Sequence, residues 1–129
     1  MALDLPGAYQ NILALFTTKN YAALTAPTTM DANIIVKRVL HPDSIIGLNA
    51  VAQYLVTMML PQNPTLTNIS NILYYQVDPT YGHASGDGIY YDNSVPGGQP
   101  FPVHFIWCFT RADATKDWLL VNVFGHRTG

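Results

Sequence analysis

The sequence is poor in charge and contains no glutamate. Only 11% of its 129 residues are charged, against about 25% in an ordinary soluble domain. The formal net charge is −2, so no basic field is available to attract a nucleic-acid backbone or an anionic membrane surface. We therefore expect neither nucleic acid nor a membrane as a partner.

Cysteine and long apolar runs are also scarce. Cys108 is the only cysteine, which excludes an internal disulfide and any zinc site built from several cysteines. No stretch approaches the roughly 18 apolar residues of a membrane helix, and the N-terminal residues lack the pattern of a secretory signal. The composition predicts a cytoplasmic location and a reducing compartment.

Hydrophobic residues, by contrast, make up 49% of the chain. A chain of this length and composition can bury a substantial core, so we expect a single domain over residues 1–129. Few charges remain to cover its surface. We therefore also expect a second copy of the chain to cover part of that surface, as a homodimer.

Two long amphipathic helices are predicted in the first half of the chain. Apolar side chains recur every three or four residues over residues 5–18 and again over residues 48–60. Residues 21–24 suggest a further helical turn. Between the helices, β-branched residues predict a short strand over residues 33–40, which His41-Pro42 would end.

The second half of the chain predicts a sheet. Four strand-like runs over residues 65–77, 81–92, 101–111 and 118–126 are separated by turn-forming residues and would pair as antiparallel neighbours. Gly82, Gly86 and Gly88 favour a bend or bulge rather than a phosphate-binding loop, since no helix follows them. The sequence thus predicts an α+β fold with N-terminal helices packed on a strongly curved, mixed but mainly antiparallel sheet.

This order of elements resembles the cone-shaped, cystatin-like fold of the NTF2-like superfamily, in its SnoaL-like and ketosteroid-isomerase-like branches. Four segments carry the resemblance: HPDSIIG (residues 41–47), GHASGDGIYYD (82–92), FPVHFIWCFTR (101–111) and WLLVNVFG (118–125). The resemblance implies helices that close over the concave face of the sheet and leave an apolar, conical pocket. It also implies a dimer formed through the opposite face.

The resemblance further implies a position for a catalytic base. In isomerases that this sequence resembles, the catalytic carboxylate belongs to an Asp-Pro pair at the end of the first strand. This sequence has His41-Pro42 at that position. Imidazole titrates near neutral pH, so His41 is a candidate general base. A half-exposed histidine that merely ends the strand is the competing interpretation.

His104 is the second catalytic candidate, because it is the only basic or acidic side chain between Phe101 and Thr110. In isomerases that this sequence resembles, a tyrosine on the first helix and a protonated acid on a late strand together bind the oxyanion. Here Ile12 stands near the tyrosine position and the acid is missing. The resemblance therefore implies a reaction of the isomerase, lyase or polyketide-cyclase type, but not the complete steroid-isomerase mechanism. We expect this reaction to need neither a metal nor a cofactor.

Aromatic and apolar side chains on the elements around the cone predict a small apolar or aromatic ligand. Asn122 would direct a hydrogen bond either into the pocket or towards a dimer partner. Asp87 and Asp92 fit either the rim of the cone or solvated turns. The candidate ligand-binding residues are Tyr9, Phe16, Tyr54, Met58, Trp107, Asn122 and Phe124.

Two functions of different classes fit these observations. The first is a small-molecule-binding domain with isomerase, lyase or cyclase chemistry based on His41. The second is a non-catalytic dimerisation or protein-interaction module whose cone is filled by its own side chains. Fold alone does not choose between them, but an open cavity with polar groups favours the first.

Overall fold

Helices come first and strands follow in the computed structural model, which describes residues 2–38, 43–92 and 98–129. Helix α1 (Leu5–Thr17) carries Pro6 in its first turn, where the fixed φ of proline suits a helix. Asp4 caps this helix, and its Oδ1 accepts a hydrogen bond from the backbone N–H of Gly7 at 2.8 Å. The short helix α2 (Tyr21–Leu24) follows, also where it was predicted.

The helix predicted over residues 48–60 is interrupted by a wider turn. Helix α3 (Leu48–Tyr54) continues into the π-helical segment Leu55–Met59 and then into helix α4 (Leu60–Gln62). The wider turn ends two residues before Pro61, which has no N–H to continue the ladder of helical hydrogen bonds. Asn63 ends the segment in the left-handed conformation, with φ of 50°.

The strands of the described residues form one six-stranded sheet in the order β2-β1-β6-β5-β4-β3. They are β1 (Met30–Lys37), β2 (Ser44–Ile46), β3 (Thr65–Asp78), β4 (Tyr81–Tyr91), β5 (Phe101–Thr110) and β6 (Leu119–Arg127). Strands β1 and β6 run parallel, and all other neighbours are antiparallel. The predicted α+β class with a mixed, mainly antiparallel sheet is confirmed. Strand β1 begins three residues earlier than predicted, and β2 was not predicted.

Strand β3 is bent by interruptions in its pairing with β4. Asn68 and Asn71 adopt positive φ angles of 53° and 55° at the points where the register shifts. Asparagine tolerates this left-handed conformation better than most residues, and a bulge bends and twists the strand that contains it. The sheet therefore curves around the helices, with a concave face towards them and a convex face away from them.

The main core lies between the helices and the concave face. Ile34 and Phe109 are fully buried there, and Tyr9 is 1% exposed. Burying a side chain of this size stabilises the fold by about 1.5–3 kcal/mol. In the described part of the chain, no helix is long and apolar enough to cross a membrane.

Candidate functional site

An open cavity of about 170 Å³ lies between the helices and the concave face of the sheet. Most of its wall is apolar, so a ligand inside it would be shielded from water. Helices and sheet both contribute apolar residues to the wall: Ile12 and Phe16 from α1, Val51 from α3, Leu55 from the π-helical segment, and Phe105 and Trp107 from β5.

Strand β5 lines the cavity with every second residue. Val103, Phe105 and Trp107 are buried on the concave face and border the cavity. Successive side chains of a strand point to opposite faces of the sheet. His104 and Ile106 therefore lie on the convex face.

Small residues occupy the alternate positions of β4 that face the helices. Gly82, Ala84, Gly86 and Gly88 are all buried. A Cβ atom at Gly86 would lie 3.0 Å from the ring of Phe105 and would also collide with the side chain of Ile72 on β3. Because these positions carry no large side chain, residues of β3 and β5 pack directly against the backbone of β4. Larger residues face the helices only near the end of the strand.

Tyr90 and Asp92 continue the same alternation and border the cavity. Asp92 is only 6% exposed. The hydroxyl of Tyr90 donates a hydrogen bond to Sδ of Met59 at 3.9 Å, and the Asp92 carboxylate is near enough to raise the pKa of this phenol. A carboxylate and a phenol thus meet at the wall of a mostly apolar cavity.

Arg38 and Tyr54 lie next to this pair and also border the cavity. The Arg38 guanidinium lies over the Tyr54 ring, with its Cζ 5.3 Å from the ring centroid. One Nη of Arg38 is 2.7 Å from both carboxylate oxygens of Asp43, which anchors the arginine. We refer to Arg38, Tyr54, Tyr90 and Asp92 as the polar cluster.

Both phenols of the polar cluster are neutral near physiological pH. Burial raises the pKa of Tyr90, and the negative charge of Asp92 raises it further. Burial also raises the pKa of Tyr54, although the nearby positive charge of Arg38 partly offsets the rise. Each hydroxyl therefore keeps its proton and can donate a hydrogen bond.

The structure places four of the seven sequence-based ligand-binding candidates around the cavity. These are Phe16, Tyr54, Trp107 and Phe124. They come from α1, α3, β5 and β6, which are distant in sequence and meet only in the folded chain. Their role as ligand contacts stays a prediction.

The other three candidates lie away from the cavity. Tyr9 is buried behind it, with its ring 5.2 Å from that of Trp107. Met58 is 48% exposed, because the π-helical turn alters the helical period and directs Met59 inward instead. Asn122 is paired with Cys108 on the convex side of the sheet.

Of the two candidate catalytic histidines, only His104 lies in the part of the chain that the structure describes. His104 lies on the convex face, where its Nδ1 is 2.9 Å from Oδ1 of Asp87 and its ring centroid is 5.6 Å from that of His126. The cause is the parity of β5, whose odd-numbered residues face the cavity. His41 lies outside the described residues, so the role predicted for it stays a prediction.

Sequence reasoning found the polar cluster only in part. Tyr54 was a candidate and Asp92 was placed at the rim, but Arg38 and Tyr90 were not singled out. The available signal was the spacing of two between Tyr90 and Asp92, directly after the alternating small residues of β4. No group of three or more histidine, cysteine or acidic side chains among the described residues is arranged to hold a metal.

No protein-family model matches the sequence, and no curated protein matches it. Solved structures, however, are similar over nearly the whole chain. A ketosteroid isomerase-like protein from Erwinia carotovora atroseptica gives a TM-score of 0.70 at 12% identity, covering 97% of this chain and 94% of that one. Hexachlorocyclohexane dehydrochlorinase LinA-type3 from Novosphingobium barchaimii gives 0.71 at 14% identity, covering 95% and 82%.

A proposed dehydratase of the NTF2-like family from Streptomyces avermitilis gives a TM-score of 0.71 at 11% identity, covering 95% of this chain and 92% of that one. At such identities the similarity establishes the fold and leaves the reaction open. The resemblance drawn from the order of helices and strands is confirmed at this level: the chain has the NTF2-like, cystatin-like cone fold.

Proposed function

We propose that this chain binds a small, largely apolar molecule in the cavity and acts on an oxygen-bearing group of that molecule. The observation that carries the proposal is the polar cluster at the wall of an apolar cavity. In ligand pockets, apolar walls provide most of the contact area, and a few convergent polar groups fix the orientation of the ligand. Arg38, Tyr54, Tyr90 and Asp92 fit the second role.

The volume of the cavity supports a compact ligand. It is about 170 Å³, close to the roughly 150 Å³ of an engineered protein cavity that binds benzene. Pockets for drug-sized molecules measure about 300–1,000 Å³. We therefore propose a ligand of one ring, or of two small fused rings, rather than a steroid.

The proposed reaction is a proton transfer of the isomerase, lyase or cyclase type. Two proteins of similar structure are a ketosteroid isomerase-like protein and a dehydrochlorinase, which supports this class of chemistry. The sequence nominates His41 as the base, three positions after Arg38. This hypothesis predicts that His41→Ala keeps ligand affinity but slows proton exchange of a bound ketone by about 100-fold or more.

Binding is tested by thermal unfolding with 4-ethylphenol and 2-indanone, two compact ring compounds that carry one oxygen each. A ligand that binds only the folded state raises Tm in a saturable manner. Val123→Phe adds a ring to the cavity wall and should abolish the rise. Val77→Phe makes the same change at a position that is 51% exposed and should leave it intact.

Two results would contradict the proposed function. One is the absence of any Tm increase with either compound in a folded wild-type protein. The other is an increase that survives Val123→Phe, because the compound would then bind outside the cavity. Circular dichroism of each variant establishes that it is folded before its Tm is compared.

The alternative is a non-catalytic dimerisation or protein-interaction module, which the convex face favours. Leu73 and Tyr75, two residues apart on the edge strand β3, are 69% and 60% exposed on that face. Exposed apolar side chains grouped on one surface are typical of interaction sites. We propose that a second copy of the chain covers the convex face as a homodimer, an arrangement that both functions permit.

A further inference from the structure

We infer that a second cavity, at the edge of the sheet where β1 and β6 begin, binds a compact primary amine that also carries a carbonyl oxygen. This second cavity has a volume of about 130 Å³. Its walls come from α1, from the turn before β1 and from the segment before β6. The site is separate from the first cavity, which the polar cluster borders, and it does not depend on the function proposed for that cavity.

The parallel pairing of β1 with β6 brings the walls of the second cavity together. Thr28 and Thr29 directly precede β1, and Asp117 and Trp118 directly precede β6. The backbone N–H of Leu120 donates a hydrogen bond to the carbonyl oxygen of Thr29 at 3.0 Å, which joins the starts of the two strands. Neighbouring parallel strands begin at the same edge of a sheet, so these side chains surround one space, which α1 closes.

Trp118 supplies a buried hydrogen-bond donor to this site. The residue is 5% exposed, and its Nε1 has no hydrogen-bond partner among the described residues. The indole ring is held by Arg111, whose Cζ lies 3.9 Å from the ring centroid and whose Nε donates to the carbonyl oxygen of Pro79. An indole N–H only donates, and a buried donor without an acceptor destabilises a protein. Because Trp118 forms a wall of the second cavity, the carbonyl oxygen of an occupant would provide the missing acceptor.

Asp117 supplies the opposite requirement, since a carboxylate only accepts hydrogen bonds. No ion pair or hydrogen bond within the described part of the chain engages its side chain, and no residue that lines the second cavity is cationic. Charge complementarity therefore favours an ammonium group. Asn11, Thr28 and Thr29 add amide and hydroxyl groups that both donate and accept.

The remaining wall and the volume limit the size of the occupant. Leu3, Ala8 and Ile12 form an apolar side of the second cavity, which suits a short branched alkyl group. The volume of about 130 Å³ is slightly below the roughly 150 Å³ of an engineered cavity that binds benzene. The amide of a small amino acid meets all three requirements. In L-valinamide the ammonium group would face Asp117, the carbonyl oxygen Trp118, and the isopropyl group the apolar side.

The test is a titration with L-valinamide, followed by ¹H–¹⁵N NMR of the tryptophan side chains. The protein has two tryptophans, and the spectrum of Trp107→Phe assigns the indole N–H signal of each. We expect the Trp118 signal to move downfield in a saturable manner, because its N–H gains an acceptor. Trp107 borders the first cavity, so its signal serves as the internal control and should stay in place.

Two smaller compounds separate the groups of the occupant. Isovaleramide is L-valinamide without the ammonium group, and isobutylamine is L-valinamide without the carboxamide. A hydrogen bond to a charged group, or to a donor that is otherwise unpaired, contributes substantially to binding. Each compound should therefore have a Kd about fivefold or more above that of L-valinamide. Equal affinity of either compound would overturn the assignment of the ligand class.

Substitutions test the walls in the same titration. Asp117→Asn should raise the Kd for L-valinamide by about fivefold or more, whereas Asp87→Asn removes the same charge on the convex face and should leave the Kd unchanged. Ala8→Leu places a larger side chain at the wall of the second cavity and should abolish the shift. Ala14→Leu makes the same change at an exposed position of α1 and should retain it.

The inference is overturned by a Trp118 signal that L-valinamide does not move, by a shift that persists in Ala8→Leu, or by an unchanged Kd in Asp117→Asn. If Ala8→Leu does not fold, Asp117→Asn decides, because that substitution lies at an exposed residue. The rise of Tm with 4-ethylphenol reports on the first cavity alone. Failure of the second site therefore leaves the proposed function standing, and failure of the proposed function leaves the second site standing.

Discussion

At the scale of single residues, the hydroxyl of Tyr9 is buried and has no hydrogen-bond partner among the described residues. A buried polar group without a partner costs about 1–3 kcal/mol. Tyr9→Phe removes that group and keeps the ring, so we expect the free energy of unfolding to rise by about 1 kcal/mol in urea titrations. Tyr75→Phe deletes the same atom from a ring that is 60% exposed and should change stability by less than about 0.5 kcal/mol.

The same residue makes stability depend on alkaline pH. Burial raises the pKa of Tyr9 to about 12, and the neighbouring Tyr74 adds to the rise. Tyrosine in an unfolded chain titrates near pH 10. Between pH 10 and 12 the folded state therefore binds more protons than the unfolded state, and stability falls as pH rises. The stability advantage of Tyr9→Phe should accordingly be larger at pH 11 than at pH 8, and an equal advantage at both would contradict this account.

Which side chains reach the cavity was only partly predictable from residue identity. Phe16 and Trp107 were found because large apolar residues in a helix stripe or a buried strand usually face the core. Asn122 and His104 were harder to place, because β5 and β6 are apolar on both faces and the pattern does not reveal which parity points inward. The placement of Tyr90 and Asp92 at the cavity wall depends in the same way on which face of β4 points inward.

At the scale of elements, helix α1 presents Ile12 and Phe16 to the cavity, and its start is fixed by one side chain. Asp4→Ala removes the hydrogen bond to the N–H of Gly7 and should lower the free energy of unfolding by about 0.5–2 kcal/mol. Asp4→Asn keeps a capping oxygen and should stay near wild type. Equal losses in the two variants in urea unfolding would mean that the cap is unimportant.

The helices and long strands could be predicted because each follows one clear period over many residues. Helix α1 and strands β3 to β6 appear within one or two residues of their predicted bounds. The three-residue strand β2 is too short to show alternation, and its existence depends on pairing with β1. The π-helical turn before Pro61 also left no signal in the apolar stripe, so Met58 was assigned to the wrong side of its helix.

At the scale of the whole molecule, the low charge and the exposed apolar residues of the convex face favour self-association. Leu73→Lys places a charge at a position on that face that is 69% exposed, and should shift the chain from dimer to monomer in sedimentation velocity. A buried unpaired charge at an interface strongly disfavours association. Val56→Lys, at a helical position that is 58% exposed, is the matched control and should remain dimeric. A wild-type monomer would contradict the proposed dimer.

The central claim is that the cavity between the helices and the sheet binds a ligand, and that the polar cluster fixes the orientation of this ligand. A crystal structure of the protein with 4-ethylphenol tests it most directly. The account predicts the ring between the walls formed by Phe16 and Trp107, with the phenol oxygen within hydrogen-bonding distance of Tyr54 or Asp92. A ligand bound on the convex face, or a cavity filled by the protein's own side chains, would contradict the account.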